Sequence, residues 1–185
     1  MVVFSGTESI DKVPWTQLPK TLQHVSGDFL YSPLLGDDPY NDLEYIGGNC
    51  DLTDFCTFIP PKLRCVRGDL LCGFDNEYLI SLEGALSYVG GNMDCSEYVE
   101  ILPEGLTYVG KTLRVGPKVQ HLPDNLSYVG ELCIYGSSVT TLPAAPFFVR
   151  KLYLSEEREE RGDYDALFKQ MFEDESIVVG NLVYV

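Results

Sequence analysis

Three stretches of this chain align without a gap at a period of 20 residues. They are Leu102-Pro103-Glu104-Gly105-Leu106-Thr107-Tyr108-Val109-Gly110, Leu122-Pro123-Asp124-Asn125-Leu126-Ser127-Tyr128-Val129-Gly130 and Leu142-Pro143-Ala144-Ala145-Pro146-Phe147-Phe148-Val149-Arg150. Leu82-Glu83-Gly84-Ala85-Leu86-Ser87-Tyr88-Val89-Gly90 keeps the frame one unit earlier, with Glu83 in the proline position. Upstream the frame loosens to 23 residues between Leu63 and Leu86, through Ile59-Pro60-Pro61-Lys62-Leu63-Arg64-Cys65-Val66. Leu43-Glu44-Tyr45-Ile46-Gly47 and Leu18-Pro19-Lys20-Thr21-Leu22-Gln23-His24-Val25 precede it, so about seven units run from residue 18 to residue 155. A recurrence of this length marks a solenoid. One such unit is too small to bury its own apolar side, and only stacked units share a continuous core.

Each unit continues into a short alternation, best seen in Leu113-Arg114-Val115, Leu132-Cys133-Ile134 and Leu152-Tyr153-Leu154. Met93-Asp94-Cys95, Leu70-Leu71-Cys72 and Cys50-Asp51-Leu52 are looser copies. Successive side chains of a strand face opposite ways, so the flanking apolar residues point inward and the middle one outward. Val119 and Val139 supply a further apolar position before the next Leu-Pro, and the recurrent Pro and Gly exclude long helices within a unit. The outward residues Asp51, Leu71, Asp94, Arg114, Cys133 and Tyr153, with Tyr135 and Ser155 one step along, form the candidate partner-binding face. Extended sheet faces are what solenoids use for recognition, and aromatic and Arg residues commonly anchor it. Tyr45, Tyr88, Tyr108, Tyr128 and Phe148 share another repeat position and are expected to stack as a structural, half-buried ladder.

The pattern Leu-Pro-x-x-Leu-x-x-Val-x-x-Leu-x-Val resembles the short leucine-rich repeats of bacterial effector proteins. The resemblance covers about three quarters of the chain and is most specific in the three units beginning at Leu102, Leu122 and Leu142. It implies one strand per unit, the Leu-x-Val element, in a parallel sheet lining a concave face, with the Leu-Pro segment on the convex side. It also implies a bacterial or phage-encoded factor that binds and modulates or inhibits another protein. Two features depart from the family: the Asn that follows its strand is replaced by nearby Gly73, Gly116 and Gly136, and the Tyr-Val-Gly triplet is not typical of it.

A bare solenoid end exposes core, so atypical end segments are expected. Residues 1–17, with Phe4, Ile10, Val13 and Trp15, are read as the N-terminal cap. Residues 156–185 are read as the C-terminal cap: a helix over Asp163 to Glu173 using Tyr164, Leu167, Phe168, Met171 and Phe172 as its apolar face, then two short strands turning at Gly180-Asn181. The fold class expected is therefore a mainly β, leucine-rich-repeat-like solenoid with a short parallel sheet and a cap at each end.

Asp and Glu total 28 against 13 Lys and Arg, a net charge of -15. Such a surface repels nucleic-acid phosphates and anionic lipid, and favours a protein partner with a basic surface. No secretory signal or membrane-spanning stretch is expected, and the cytoplasm of the producing or host cell is the expected location. Cys50, Cys56, Cys65, Cys72, Cys95 and Cys133 show no CxxC pair and often replace Leu, Val or Tyr at repeat positions, so they read as reduced core residues. His24 and His121 lie far apart without a recurrent nucleophile, no catalytic residue is assigned, and no metal or cofactor is expected. The carboxylates from Glu156 to Asp163 lack the Gly-centred loop of a calcium hand and read as a solvated helix entrance. The expected function is non-catalytic protein binding. The alternatives are an acidic mimic of nucleic acid blocking a DNA- or RNA-binding enzyme, and a structural component of an assembly.

Overall fold

The computed structural model describes residues 3–4, 21–31, 42–52, 56–73, 76–144 and 146–185. Its strands are β1 (Val3–Phe4), β2 (His24–Val25), β3 (Phe29–Tyr31), β4 (Tyr45–Ile46), β5 (Cys50–Leu52), β6 (Cys65–Val66), β7 (Leu70–Leu71), β8 (Tyr88–Val89) and β9 (Met93–Asp94). Longer strands follow: β10 (Tyr108–Arg114), β11 (Tyr128–Cys133), β12 (Phe147–Leu154) and, after helices α1 (Glu156–Glu160) and α2 (Asp165–Glu173), β13 (Ile177–Tyr184). All the strand pairings are parallel, and the chain is a mainly β solenoid.

Each early turn contributes two strands where the sequence pattern led us to expect one. One track runs β1-β2-β4-β6-β8-β10 and the other β3-β5-β7-β9-β10, so β10 receives both. From there β11, β12 and β13 continue as single long rungs. The merger coincides with a register shift between Val109 and Thr112, where β10 carries one more residue than β11. An extra residue of this kind is a bulge, and it bends the strand locally.

The consensus has a physical reason at almost every position. Both leucines of Leu-Pro-x-x-Leu are buried, and the proline carbonyl accepts the N–H of the second one: Pro103 from Leu106, and Pro123 from Leu126, each at 3.0 Å. The next residue's hydroxyl donates to the rung below, from Thr107 to the Ser87 carbonyl and from Ser127 to the Thr107 carbonyl, both at 2.9 Å. The valine after the ladder position, held by Cys65, Tyr88, Tyr108, Tyr128 and Phe148, is buried in every copy from Val66 to Val149. The glycine that follows sits where adjacent backbones nearly touch: a Cβ on Gly110 would lie 2.2 Å from the Gly90 carbonyl oxygen.

A ladder that the consensus does not display holds the corner between the two tracks. Asp28 Oδ1 accepts the Asn49 N–H at 2.7 Å, Asn49 Oδ1 the Asp69 N–H at 2.8 Å, and Asp69 Oδ1 the Asn92 N–H at 2.7 Å. Asn92 Oδ1 then accepts the Thr112 N–H at 3.2 Å, and the ladder stops at the bulge. On the next rungs Glu131 takes the position, accepting from Lys151 at 2.9 Å and Arg150 at 3.4 Å. The recurrent Asx one residue before Phe29, Cys50, Leu70 and Met93 was the available sequence signal.

The C-terminal segment differs from the expected cap. The helices are an insertion within a turn, and β13 is one continuous strand in register with β12, with Asn181 opposite Lys151. No hairpin forms at Gly180-Asn181; Gly180 is there because a Cβ would lie 2.5 Å from the Arg150 carbonyl oxygen. Leu167 is buried and Phe168 and Met171 pack on the core, whereas Phe172 is 87% exposed, so the apolar face is narrower than its spacing implied. Ser155, expected on the outward face, instead accepts the Arg158 N–H as the cap of α1. The Arg158 guanidinium lies over the Tyr164 ring at 4.6 Å and donates to the carbonyls of Ile134, Ser137 and Val139. Gln170 both donates to the Leu142 carbonyl and accepts its N–H, each at 2.9 Å, doing for that edge what a further turn's backbone would do. Of the expected N-terminal cap, Val3–Phe4 pairs with β2 as another rung; Ile10, Val13 and Trp15 lie outside the described residues.

Because Gly110 has no room for a side chain and Gly105 does, the two should respond differently to alanine. Gly110→Ala is expected to lower unfolding free energy in urea by about 1–3 kcal/mol, the range for overpacking. Gly105→Ala, where the nearest atom to a new Cβ is 3.5 Å away, should leave the midpoint unchanged or raised.

Candidate functional site

The parallel register converts the outward residues into a physical column. Leu30, Asp51, Leu71, Asp94, Arg114, Cys133, Tyr153 and Val183 are successive partners across the sheet. Neighbouring strands lie roughly 4.8 Å apart, so side chains at successive steps are in reach of one another. Inward neighbours behave as the alternation requires: Leu70, Met93, Leu113, Leu132 and Leu152 are fully buried.

Beside the column runs a groove of about 410 Å³. Asp51, Leu71, Asp94, Arg114, Cys133 and Tyr135 all line it. Tyr153 continues the column past the groove's end, where its hydroxyl donates to Glu131 Oε2 at 3.4 Å. Leu71 and Tyr135 are exposed. Cys133 faces the groove but is only 7% exposed, flanked by the larger Arg114 and Tyr153 on the adjacent rungs, so it contributes wall and not a protruding contact.

The concavity arises two residues beyond the column. Leu71, Asp94 and Arg114 are followed at that position by Gly73, Ser96 and Gly116, and Cys133 by Tyr135. Three rungs therefore carry almost no side chain, and a tyrosine closes one end. Gly73 is held at φ 67°, in the region that favours glycine. Gly116 has no room for a Cβ, which would lie 2.4 Å from the Ser96 carbonyl oxygen.

Charge in the groove is uneven: Asp51, Asp94 and Glu97 stand against Arg114 alone. Arg114 Nη1 reaches Asp94 Oδ2 at 3.0 Å, a pair open to solvent on both sides and worth about 1 kcal/mol or less. Ser96 is the exception to polar pairing among the described residues: its Oγ is buried with no hydrogen-bond partner. An unpaired buried hydroxyl costs roughly 1–3 kcal/mol, so the wall of the groove holds an unmet bond.

None of the six cysteines forms a disulfide, and Cys50, Cys56, Cys72 and Cys95 are buried with the core. A hydrogen bond with Cys95 and burial hold the Cys72 thiol well above its ordinary range. Burial also raises Cys133, although Arg114 pulls it the other way. Neither histidine lines the groove: His24 packs on Tyr45 at 5.7 Å, and His121 is exposed on the Leu-Pro side.

The aromatic ladder lies on the first-strand track. Tyr88 and Tyr108 stack at 4.8 Å, Tyr108 and Tyr128 at 4.8 Å, and Tyr128 and Phe148 at 5.6 Å. Cys65 occupies the rung between Tyr45 and Tyr88, so Tyr45 stands apart from the continuous stack. The chain matches no family model, no curated protein and no solved structure.

Two measurements check this description. With a thiol-disulfide reagent at pH 8, Cys65 should label first, and the buried Cys50, Cys56, Cys72, Cys95 and Cys133 far more slowly or only after denaturation; rapid native labelling of Cys72 would contradict the packing. Lys151 first, and then Tyr153 and Arg150, depress the Glu131 carboxyl. Its contribution should be present above the unfolded glutamate value of about 4.3 and disappear as pH falls through the lowered folded value. Glu131→Gln should accordingly cost about 0.2–1 kcal/mol near neutrality and nothing once the carboxyl is protonated, read from urea midpoints across pH.

Proposed function

We propose that this protein is a non-catalytic, protein-binding solenoid whose outward column and adjoining groove dock a basic surface of another protein and thereby modulate or inhibit it. The observation that carries the reading is the coincidence of the register-matched column with the concave apolar groove. A pre-organised sheet face loses little entropy on binding, and Leu71, Arg114 and Tyr135 offer anchors of the kind that dominate interface energies. The net charge of -15 adds a long-range field that speeds encounter with a basic partner.

Catalysis has little to work with at this place, since the Cys72 and Cys133 thiols are held above their ordinary range and both histidines lie elsewhere. A nucleic-acid mimic would use carboxylates in unbroken rows, whereas Leu71 and Arg114 interrupt the column and Asp28 and Asp69 accept bonds within the corner ladder. Six cysteines without a disulfide suit a reducing compartment, so the cytoplasm of the producing or host cell is the proposed location. No helix among the described residues is long and apolar enough to cross a membrane. Kinship with short leucine-rich repeats, and with it a bacterial or phage origin, belongs to the same proposal and is supported by the Leu-Pro unit and its parallel strands.

The test is affinity capture from host extract with wild-type protein, Arg114→Glu and Tyr153→Ala, each verified as folded by circular dichroism. Recovery of the main partner should fall about tenfold or more, the effect of losing an anchor residue. It should also weaken between about 0.1 M and 1 M salt, as the screening length shrinks from roughly 10 to 3 Å. Undiminished capture by both variants would move the binding face to the aromatic ladder.

A further inference from the structure

We infer that the groove receives an extended peptide segment, one that sets a Lys or Arg side chain beside Asp94 and an apolar side chain against Leu71 and Tyr135. This rests on the protein-binding reading above and specifies the form of the partner: a strand-like segment in place of a folded surface.

Shape is the first argument. The floor at Gly73, Ser96 and Gly116 spans three successive rungs, and Tyr135 stands at the end of that line. At roughly 4.8 Å per rung, this is a narrow trough about 10–15 Å long, the reach of about four extended residues. A convex folded surface enters such a trough with single side chains only. An extended chain lies along it, and the missing side chains let its backbone come close to the protein's own.

Chemistry is the second. The lining is mostly apolar, yet it carries three carboxylates against one guanidinium, so a cationic group is the complementary guest. A carboxylate or phosphate ligand would find one guanidinium, Arg114, among three carboxylates of its own sign. The third argument is Ser96, whose buried Oγ lacks a partner. A peptide backbone offers N–H and C=O groups at every residue, and rotation of one side-chain bond is what the hydroxyl needs to meet one. A purely apolar guest would leave it unmet.

Gly136 makes the inference testable without damage to the fold. It lines the groove, its φ lies outside the left-handed region, and a Cβ placed there meets nothing within 4 Å. Gly136→Trp therefore fills the groove from its rim. The experiment is selection of a randomised heptapeptide phage library on wild-type protein, followed by fluorescence anisotropy with the enriched peptides made synthetically. Enriched sequences are expected to pair Lys or Arg with a neighbouring Leu, Ile, Met, Phe or Trp. Their affinity should drop about tenfold or more in Gly136→Trp and in Asp94→Asn, as for loss of a central contact. Ser96→Ala should weaken binding while leaving the unliganded protein at least as resistant to urea, which a merely structural serine would not do.

Three results overturn the inference: no enrichment, enrichment of sequences without a basic residue, or affinities that Gly136→Trp leaves unchanged. Its failure is separable from failure of the broader reading. If host capture is lost in Arg114→Glu while no heptapeptide is enriched, a folded partner surface docks on the column and only the extended-segment inference falls.

Discussion

Parallel register is the constraint on which everything else in this molecule rests. The backbone of each turn is satisfied by the turns beside it, from Phe29 bonding to Asn49 near one end to Val185 bonding to Leu154 near the other. Once turns are locked at strand spacing, residues at equal repeat positions are forced into contact whatever their chemistry. Stacked tyrosines, a hydroxyl ladder, the Asx ladder and the outward column are four outcomes of one geometry. Stability is then shared among neighbours, with each turn depending on the adjacent ones.

The groove shows how such an array acquires an individual feature. Identical turns would give a uniform ribbon; here the residue two places past the column is small on three rungs and large on the next. At the C-terminal side a comparable local change has a different result. The helical insertion occupies the Leu-Pro side of one turn while β13 keeps the sheet in register, and Arg158 and Gln170 answer carbonyls that another regular turn would have bonded. Side chains there substitute for main chain.

Much of this was legible beforehand because burial in a strand alternates strictly. Leu113, Leu132 and Leu152 had to be inside if Arg114 and Tyr153 were outside, and they are. The stack of Tyr88, Tyr108, Tyr128 and Phe148 followed from a shared repeat position, whereas Tyr45, expected in it, is set apart by Cys65 on the intervening rung. What escaped was anything needing the distance between backbones. The strand that went unread in the early turns is the first of the two, only two residues long at β2, β4, β6 and β8 and too short to show an alternation. Gly180-Asn181 has the composition of a hairpin turn, but the glycine answers to a carbonyl on the next rung. Phe172 falls at a face-forming spacing, yet nothing covers it at the helix's end. The groove depends on Gly73, Ser96 and Gly116 being small together, which is a statement about neighbours in space.

The corner ladder carries one more implication. Its members alternate Asp28, Asn49, Asp69, Asn92, so no carboxylate in it sits above another. Excising the turn that carries Asn49 would set Asp28 directly against Asp69, two negative charges roughly 5 Å apart in a row of donors that cannot neutralise both. Excising two consecutive turns would restore the alternation. The constraint belongs to the Asn49 turn alone: removing the Asp69 turn instead would set Asn49 against Asn92 and bring no carboxylates together, so the ladder tolerates the loss of some single turns and not of others.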